Sequence, residues 1–375
     1  MTDQLISQDT LRKADKILFV AHLALGDFTY MESCFRAFQQ TYPHIQIDLW
    51  VDELRRTWDF RQWAALRKYS LFDWLDVSPC FHKVYKETYS PFVFARSLRE
   101  AKQQNYPIVV SFGLSRRTFY ARLVRKLNPD AVTAAIAKRY KSYDIVKRHV
   151  FENIDVRLVD HPEGATHVSD IYASWFQRLF GLRIGAEERF PQMDIPDRWR
   201  TDALHHLQQW GIVDKARRRN RVIFVNAFSK QDERSWPVEK ALSLVEAMRQ
   251  MNQWRDNDFI VNTVPEKWDE TEAIMARQKI LSNVFLFSAR DNFFQLPAVL
   301  EQCDLIISVE TAVMHLANAV HVPVVALMRQ LTPEWVPIDR QNSRVVMTEQ
   351  RDHWVQQIDL EQVIAALPDP AQMTW

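Results

Sequence analysis

The chain has 375 residues, 47% hydrophobic and 25% charged, which is the balance of a globular protein long enough for two domains. Its formal net charge of +1 excludes a broad basic surface, so we expect no nucleic-acid partner. The six glycines, at 26, 113, 164, 181, 185 and 211, are too dispersed for a Walker loop or a dinucleotide fingerprint.

Strands and helices are predicted to alternate along the first half of the chain. Apolar runs predict strands at 16–22, 45–51, 108–112 and 154–159, with helices at 28–42, 115–127 and 168–180. Leu25-Gly26-Asp27 is expected to be the turn into the first helix. Asp27 has two compatible interpretations: it caps that helix, or it faces the ligand crevice at the carboxyl edge of a parallel sheet.

The segment 54–90 is rich in aromatic and basic residues, among them Arg55, Arg56 and Arg61. A solvated amphipathic helix explains such a mixture. A face that contacts an anionic, partly lipidic acceptor is the alternative.

The proline-marked segment 190–196 predicts a change of domain. We therefore expect a first domain over 1–195, a second over 196–350 and a helical C-terminal tail over 351–375. The second domain repeats the element order of the first. Its predicted strands are 222–226, 259–264, 284–287, 304–309, 323–328 and 344–347, and its predicted helices are 199–210, 236–251, 270–279, 294–302 and 360–367.

The segment 303–328 contains a buried strand, the polar pair Glu310 and Thr311, and then a helix. Unpaired N–H groups and the helix dipole make such a helix start suitable for a phosphate. Thr311 and His315 are four residues apart and share one helix face. The alternative is that Thr311 only caps the helix and His315 only packs.

Two halves of this kind, without a dinucleotide fingerprint, predict an α/β protein of the GT-B class, in which two Rossmann-like domains with parallel sheets face a central cleft. The odd number and wide spacing of Cys34, Cys80 and Cys303 disfavour a disulfide framework and a zinc cluster. No stretch reaches the roughly 20 apolar residues of a membrane span, and the N-terminus has no signal region. We expect a cytoplasmic protein.

Three segments of the sequence resemble glycosyltransferase family 9, the heptosyltransferases of lipopolysaccharide core synthesis. They are L-G-D-F-T-Y-M-E-S-C-F-R-A-F-Q-Q-T-Y-P at 25–43, N-A-F-S-K-Q-D-E-R-S-W-P-V-E at 226–239, and the run from Leu296 to Leu327. The middle of the first domain shows no such match. The resemblance implies inverting, metal-independent transfer of a sugar from a nucleotide diphosphate, usually ADP-heptose, in a bacterial cell. The nucleotide sugar would be a substrate, and no cofactor is expected.

The resemblance also implies roles for individual residues. Asp27 falls at the position of the catalytic base, which takes a proton from the acceptor hydroxyl. The residues implied in donor binding are Ser229, Lys230, Arg234, Glu266, Glu310, Thr311, Ala312, Val313 and His315.

The sequence departs from the family pattern at three of these positions. The usual D-T-G-x-x-H has Glu310 for Asp and Ala312 for Gly, and Arg234 stands where lysine is usual. A methyl group at Ala312 lengthens the approach of the backbone to a ligand. Arginine would bind phosphate as a fork where lysine acts as a point charge.

The resemblance implies an acceptor in the inner core of lipopolysaccharide or a related glycan. We expect an anionic glycolipid or oligosaccharide, bound through Arg55, Arg56 and Arg61, with peripheral contact at the cytoplasmic face of the inner membrane. Two alternatives stay open. One is a nucleotide-sugar epimerase of the same fold, and the other is a nucleotide-sugar-binding homologue without catalysis.

Overall fold

The computed structural model describes residues 4–137, 144–278 and 283–370. The chain forms two compact units, Met1–Arg189 and Phe190–Trp375. The sequence places the boundary a few residues later, after 195. Phe190 belongs with the second unit because its ring stacks on His321, with the ring centres 5.4 Å apart.

The first unit alternates strands and helices from its start. Its strands are β1 (Lys16–Ala21), β2 (Gln46–Val51), β3 (Lys83–Tyr85), β4 (Ile108–Ser111), β5 (Val132–Ile136) and β6 (Val156–Leu158). Its helices are α1 (Gln8–Lys13), α2 (Leu25–Thr41), α3 (Trp63–Arg67), α4 (Ser70–Val77), α5 (Pro91–Gln103), α6 (Arg117–Leu127), α7 (Ile145–Glu152) and α8 (Val168–Phe180).

The six strands form one parallel sheet in the order β3-β2-β1-β4-β5-β6. β1 is buried over its last five residues because helices cover both faces of such a sheet. The direction of winding reverses between β1 and β4, so ligands of this fold bind beyond the carboxyl ends of these two strands.

The second unit has the same organisation. Its strands are β7 (Val222–Asn226), β8 (Asp258–Asn262), β9 (Val284–Phe287), β10 (Leu305–Val309), β11 (Val324–Met328) and β12 (Ser343–Met347). Its helices are α9 (Asp197–Gln209), α10 (Val238–Gln250), α11 (Trp268–Arg277), α12 (Gln295–Glu301), α13 (Ala312–Ala319) and α14 (Leu360–Ala365).

The strand order here is β12-β11-β10-β7-β8-β9, and all pairs are parallel. Winding reverses between β7 and β10, which places the expected ligand edge at the loops after these two strands. The segment predicted as a C-terminal tail is part of this unit, since α14 packs against α10 and Val363 is fully buried.

Several elements differ from their prediction. Leu25-Gly26-Asp27 is the first turn of α2 and not a separate turn. The segment 54–90 does not form one amphipathic helix; it contains a 3₁₀ turn at Phe60–Gln62, then α3, α4 and β3, because the chain leaves helical geometry at Lys68. The predicted end of the 270–279 helix, at 279, lies outside the described residues.

Four of the observed elements were not predicted from the sequence, and these are β3, β5, α5 and α7. β3 has three residues, and the apolar signal of β5 is weakened by Thr133 and two alanines. Among residues 4–137, 144–278 and 283–370, no helix combines the length and apolar character that crossing a membrane requires.

Candidate active site

Asp27 lies in the first turn of α2, directly beyond the carboxyl end of β1. It is the third residue of the helix, so its interpretation as the N-cap is wrong. Its Oδ2 accepts a hydrogen bond of 2.8 Å from the N–H of Ala24, which holds the start of the helix. Its Oδ1 accepts one of 2.8 Å from the hydroxyl of Tyr172.

Burial raises the pKa of Asp27 above the ordinary value of an aspartate. The hydrogen bonds from Ala24 and Tyr172 and the nearby His22 partly offset this rise, since each favours the charged carboxylate. A raised pKa brings a carboxylate closer to the proton affinity that a general base needs near neutral pH.

The loop after β2 contributes further charged groups to the same edge. Asp52 is buried and pairs with Arg56, and it also accepts a 3.0 Å hydrogen bond from Tyr120. Burial raises the pKa of Asp52, although Arg56 and Tyr120 oppose the rise. His22 Nδ1 lies 3.1 Å from the backbone oxygen of Asp52, which ties the ends of β1 and β2 together.

The three predicted acceptor arginines lie in different environments. Arg55 is 62% exposed in its side chain and pairs with Glu53, and Arg61 is 78% exposed and pairs with Asp59. Arg56 is mostly buried, and its guanidinium lies 3.7 Å from the centre of a phenylalanine ring. Arg56 therefore holds the loop in place, while Arg55 and Arg61 are accessible to a ligand.

In the second unit, a ladder of buried polar side chains joins three neighbouring strands. Asn262 donates to Asn226 at 2.8 Å, and Asn226 donates to the hydroxyl of Ser308 at 3.0 Å. These residues lie at or near the carboxyl ends of β8, β7 and β10. The ladder fixes the positions from which the loops of the candidate site leave the sheet.

Thr311 is the N-cap of α13, which agrees with the interpretation that it caps the helix. Its backbone is extended, and its hydroxyl oxygen accepts a 3.0 Å hydrogen bond from the N–H of Val313. The N–H of Val313 is therefore already used within the protein, whereas the N–H of Ala312 has no hydrogen-bond partner in the described part of the chain. Of the two backbone N–H groups that are predicted to bind the nucleotide sugar, that of Ala312 is therefore the one available to a ligand.

His315 follows one turn later on α13. Its side chain is buried, and its ring centre lies 5.6 Å from that of Trp335. This environment agrees with the packing alternative, and the role of His315 in donor binding stays a prediction.

Glu310 and Arg234 form an ion pair at the same edge. Arg234 lies in a 3₁₀ turn after β7, and its Nε is 3.4 Å from Oε1 of the buried Glu310. Arg329, directly after β11, donates its backbone N–H and its Nε to Oε2 of Glu310, at 3.2 and 3.3 Å. Thr332 donates its hydroxyl to Oε1 at 3.1 Å.

The remaining predicted donor residues lie in the loops after β7 and β8. Ser229 is half-buried, and its hydroxyl oxygen accepts a 3.4 Å hydrogen bond from the N–H of Gln231. Lys230 is exposed on the same loop, and Glu266 is exposed in the 3₁₀ turn after β8. Across the described ranges, no three His, Cys, Asp or Glu side chains converge as metal ligands would.

Two residues of the candidate site, Tyr172 and Arg329, were not identified from the sequence. Tyr172 is 145 residues from Asp27, and no local pattern connects them. Arg329 carries a signal that could have identified it: it is a charged residue directly after a buried strand, like Glu310 after β10.

The model of glycosyltransferase family 9 (heptosyltransferase) matches residues 131–364, which is more than half of the chain. No curated protein matches the chain in sequence. Solved structures with similar folds include a family 9 glycosyltransferase from Veillonella parvula, at 16% identity and a TM-score of 0.68, covering 94% of this chain and 95% of that one.

Two structures from E. coli are also similar. ADP-heptose lps heptosyltransferase II has 15% identity and a TM-score of 0.64, covering 94% of this chain and 98% of that one. Heptosyltransferase WaaC with ADP has 15% identity and a TM-score of 0.59, covering 93% and 96%. These likenesses and the two parallel sheets confirm the predicted α/β fold of the GT-B class. The chain belongs to glycosyltransferase family 9, the heptosyltransferase family, and is a glycosyltransferase.

Proposed function

We propose that this enzyme transfers a heptose from ADP-heptose to the inner core of lipopolysaccharide or a related glycan, with inversion and without a metal ion. The observation that carries the proposal is the set of polar side chains after β7 and β10, at the reversal of winding in the second unit. A fold of this kind binds its nucleotide at such an edge.

The donor's diphosphate is proposed to bind at this edge. Ser229 offers a hydroxyl, Arg234 a cation and Ala312 a free N–H at the positive end of α13. Together these groups would stabilise the charge that develops on the β-phosphate as it leaves. Lys230 and Glu266, which are exposed on the neighbouring loops, would contact the donor from the solvent side.

Asp27 is proposed as the general base. The acceptor hydroxyl oxygen would attack the anomeric carbon as its proton moves to the Asp27 carboxylate. The bond from that carbon to the phosphate oxygen would break, and the nucleoside diphosphate would leave with the bonding electrons. A single displacement inverts the anomeric centre and needs no covalent intermediate.

Replacing Asp27 by Asn tests this assignment. The amide cannot take the proton, so we expect kcat to fall by about 10²–10⁴-fold while the affinity for donor changes less than about twofold. Asp9→Asn, at an exposed carboxylate on α1, is the control and should retain wild-type turnover. Wild-type turnover in Asp27→Asn would show that the base is another group.

The epimerase alternative differs in its need for acceptor. A transferase consumes the donor in proportion to acceptor, whereas an epimerase converts the donor alone. Incubation of ADP-heptose without acceptor, followed by NMR of the sugar, is expected to show unchanged donor. An epimer or a glycal in that sample would favour the epimerase.

For the acceptor, we propose an anionic glycolipid or oligosaccharide that contacts the segment 54–69, with peripheral membrane contact. Arg55 and Arg61 are exposed there, and so are the rings of Trp58 and Phe60, at 68% and 73%. Trp58 also contacts Phe92, which is 64% exposed, with the ring centres 5.0 Å apart. Exposed aromatic and basic side chains suit the headgroup region of an anionic membrane.

The double variant Arg55→Ala/Arg61→Ala should raise the acceptor KM about 30-fold and leave the donor KM unchanged, because each of the two arginines contributes roughly 1 kcal/mol near an anionic surface. Arg56 is left intact because its loss would disturb the loop. Trp354→Ala, at a ring that is 44% exposed in the second unit, is the control. Unchanged acceptor kinetics in the double variant would remove this segment from the acceptor site.

A further inference from the structure

Charged side chains follow three neighbouring strands of the second unit. The sheet order places β11 beside β10 and β10 beside β7. Arg329 comes directly after β11, Glu310 directly after β10, and Arg234 in the turn after β7. Since all three strands are parallel, their carboxyl ends lie at one edge of the sheet, and the contacts between these side chains cross that edge.

Arg329 is the most buried cation of this set, with 6% of its surface exposed. Besides its two hydrogen bonds to Glu310, its Nη1 donates to Oε1 of Glu233 at 2.9 Å. Glu233 is the residue before Arg234 in the chain. The buried guanidinium of Arg329 thus holds two carboxylates. One is that of Glu310, which faces Arg234, and the other is that of Glu233, which precedes Arg234 in the chain.

The ion pair with Glu310 occupies only one edge of Arg234. Nε faces Glu310 at 3.4 Å in an ion pair without a hydrogen bond, and within the described residues neither Nη atom of Arg234 has a hydrogen-bond partner. This pair of Nη groups is the fork that arginine offers to two phosphate oxygens. A side chain held in place before the ligand arrives loses less conformational entropy on binding.

We propose that Arg329 is a positioning residue for phosphate binding by Arg234, and that it acts through Glu310. The inference rests on the proposed function, because it requires a nucleoside diphosphate at Arg234. Glu310 can link the two cations because its Oε1 faces Arg234 and its Oε2 faces Arg329.

A double-mutant cycle on the full chain tests the inference, with ADP affinity measured by calorimetry. Arg329→Lys keeps the charge but loses the planar group that holds both carboxylates, and we expect about tenfold weaker binding of ADP. In the Arg234→Ala background, the same change should weaken ADP less than about twofold, since the group it positions is gone.

Arg218→Lys is the matched control. Arg218 is a buried arginine of the same unit that donates to Asp304 at 2.6 Å, and Asp304 precedes β10 at the opposite edge of the sheet. This variant should lower the melting temperature about as much as Arg329→Lys does, with ADP affinity unchanged. Glu310→Asp is the second test, because the shorter carboxylate withdraws from Arg234, and it should also act only when Arg234 is present.

The outcomes are distinct. Weakening of ADP binding that depends on Arg234 supports the inference. Equal weakening with and without Arg234, or equal weakening by Arg218→Lys, overturns it and leaves the proposed function standing. If the wild-type chain binds none of ADP, UDP, GDP or CDP, the proposed function fails, and this inference fails with it.

Discussion

At the scale of single residues, the candidate site depends on how partners adjust the proton affinity and orientation of a few side chains. Asp27 combines a carboxylate in partly buried surroundings with two hydrogen bonds, and only the bond from Tyr172 comes from a distant element. The sequence identifies Asp27 through a turn motif, but its partner Tyr172 depends on the packing of α8 beside α2.

The Tyr172→Phe variant is expected to shift the pH dependence of catalysis. The Tyr172 hydroxyl donates to the charged carboxylate and so lowers the pKa of Asp27; its removal lets that pKa rise further. A base works only when deprotonated, so the acidic limb of kcat/KM should move to higher pH. Tyr42→Phe, which removes another buried hydroxyl bonded to the backbone of Phe180, should leave the profile in place. Identical profiles for the wild type and Tyr172→Phe would contradict the role of Asp27 or of this bond.

At the scale of elements, the loops at the carboxyl edge are held by packing as much as by hydrogen bonds. Gly113 follows β4, and a Cβ at this position would lie 2.2 Å from the ring of Tyr120. Tyr120 in turn donates to Asp52. The absence of a side chain at Gly113 therefore lets α6 approach the end of β4.

Gly113→Ala should destabilise the protein by about 1–3 kcal/mol, because the added methyl group must displace the buried ring of Tyr120. Urea unfolding measures this change. Gly185→Ala is a suitable comparison, since its Cβ would meet only the end of the Glu188 side chain at 3.3 Å, and we expect less than about 0.5 kcal/mol. Equal stability of the two variants would show that Tyr120 moves aside without cost.

At the scale of the whole molecule, two units with the same strand order belong to one chain, and the family match spans parts of both. The proposed nucleotide edge lies in the second unit and the proposed base in the first. Selective binding to the native state raises the melting temperature of the part that binds.

Nucleotide-linked sugars should therefore raise the melting temperature of the full chain. At a concentration 100 times its Kd, a ligand stabilises by about 2.7 kcal/mol, which corresponds to a shift of roughly 5–10 °C for a unit of this size. We expect the largest shift from ADP-linked ligands in a panel that also contains UDP-, GDP- and CMP-linked ones, and a smaller shift in Arg234→Ala. No shift from any member of the panel would contradict the proposed nucleotide-sugar site.

Much of the fold could be predicted from the sequence because buried parallel strands are continuous apolar runs, and helix starts carry local signals. Val222–Asn226, Val284–Phe287 and Val168–Phe180 have the predicted bounds. Short or weakly apolar elements such as Lys83–Tyr85 and Val132–Ile136 were not predictable in this way, since their burial comes from neighbours that are distant in the chain.

The sequence by itself determined the α/β class, the two Rossmann-like halves and the identity of chemically capable residues such as Asp27, Arg234 and Thr311. Only the tertiary structure decided which partners act on them: Tyr172 on Asp27, Glu310 on Arg234, and Arg329 on Glu310. The physical reason is that local patterns follow from the spacing of neighbours along the chain. Hydrogen bonds and ion pairs between separate elements depend instead on the order in which strands join the sheet.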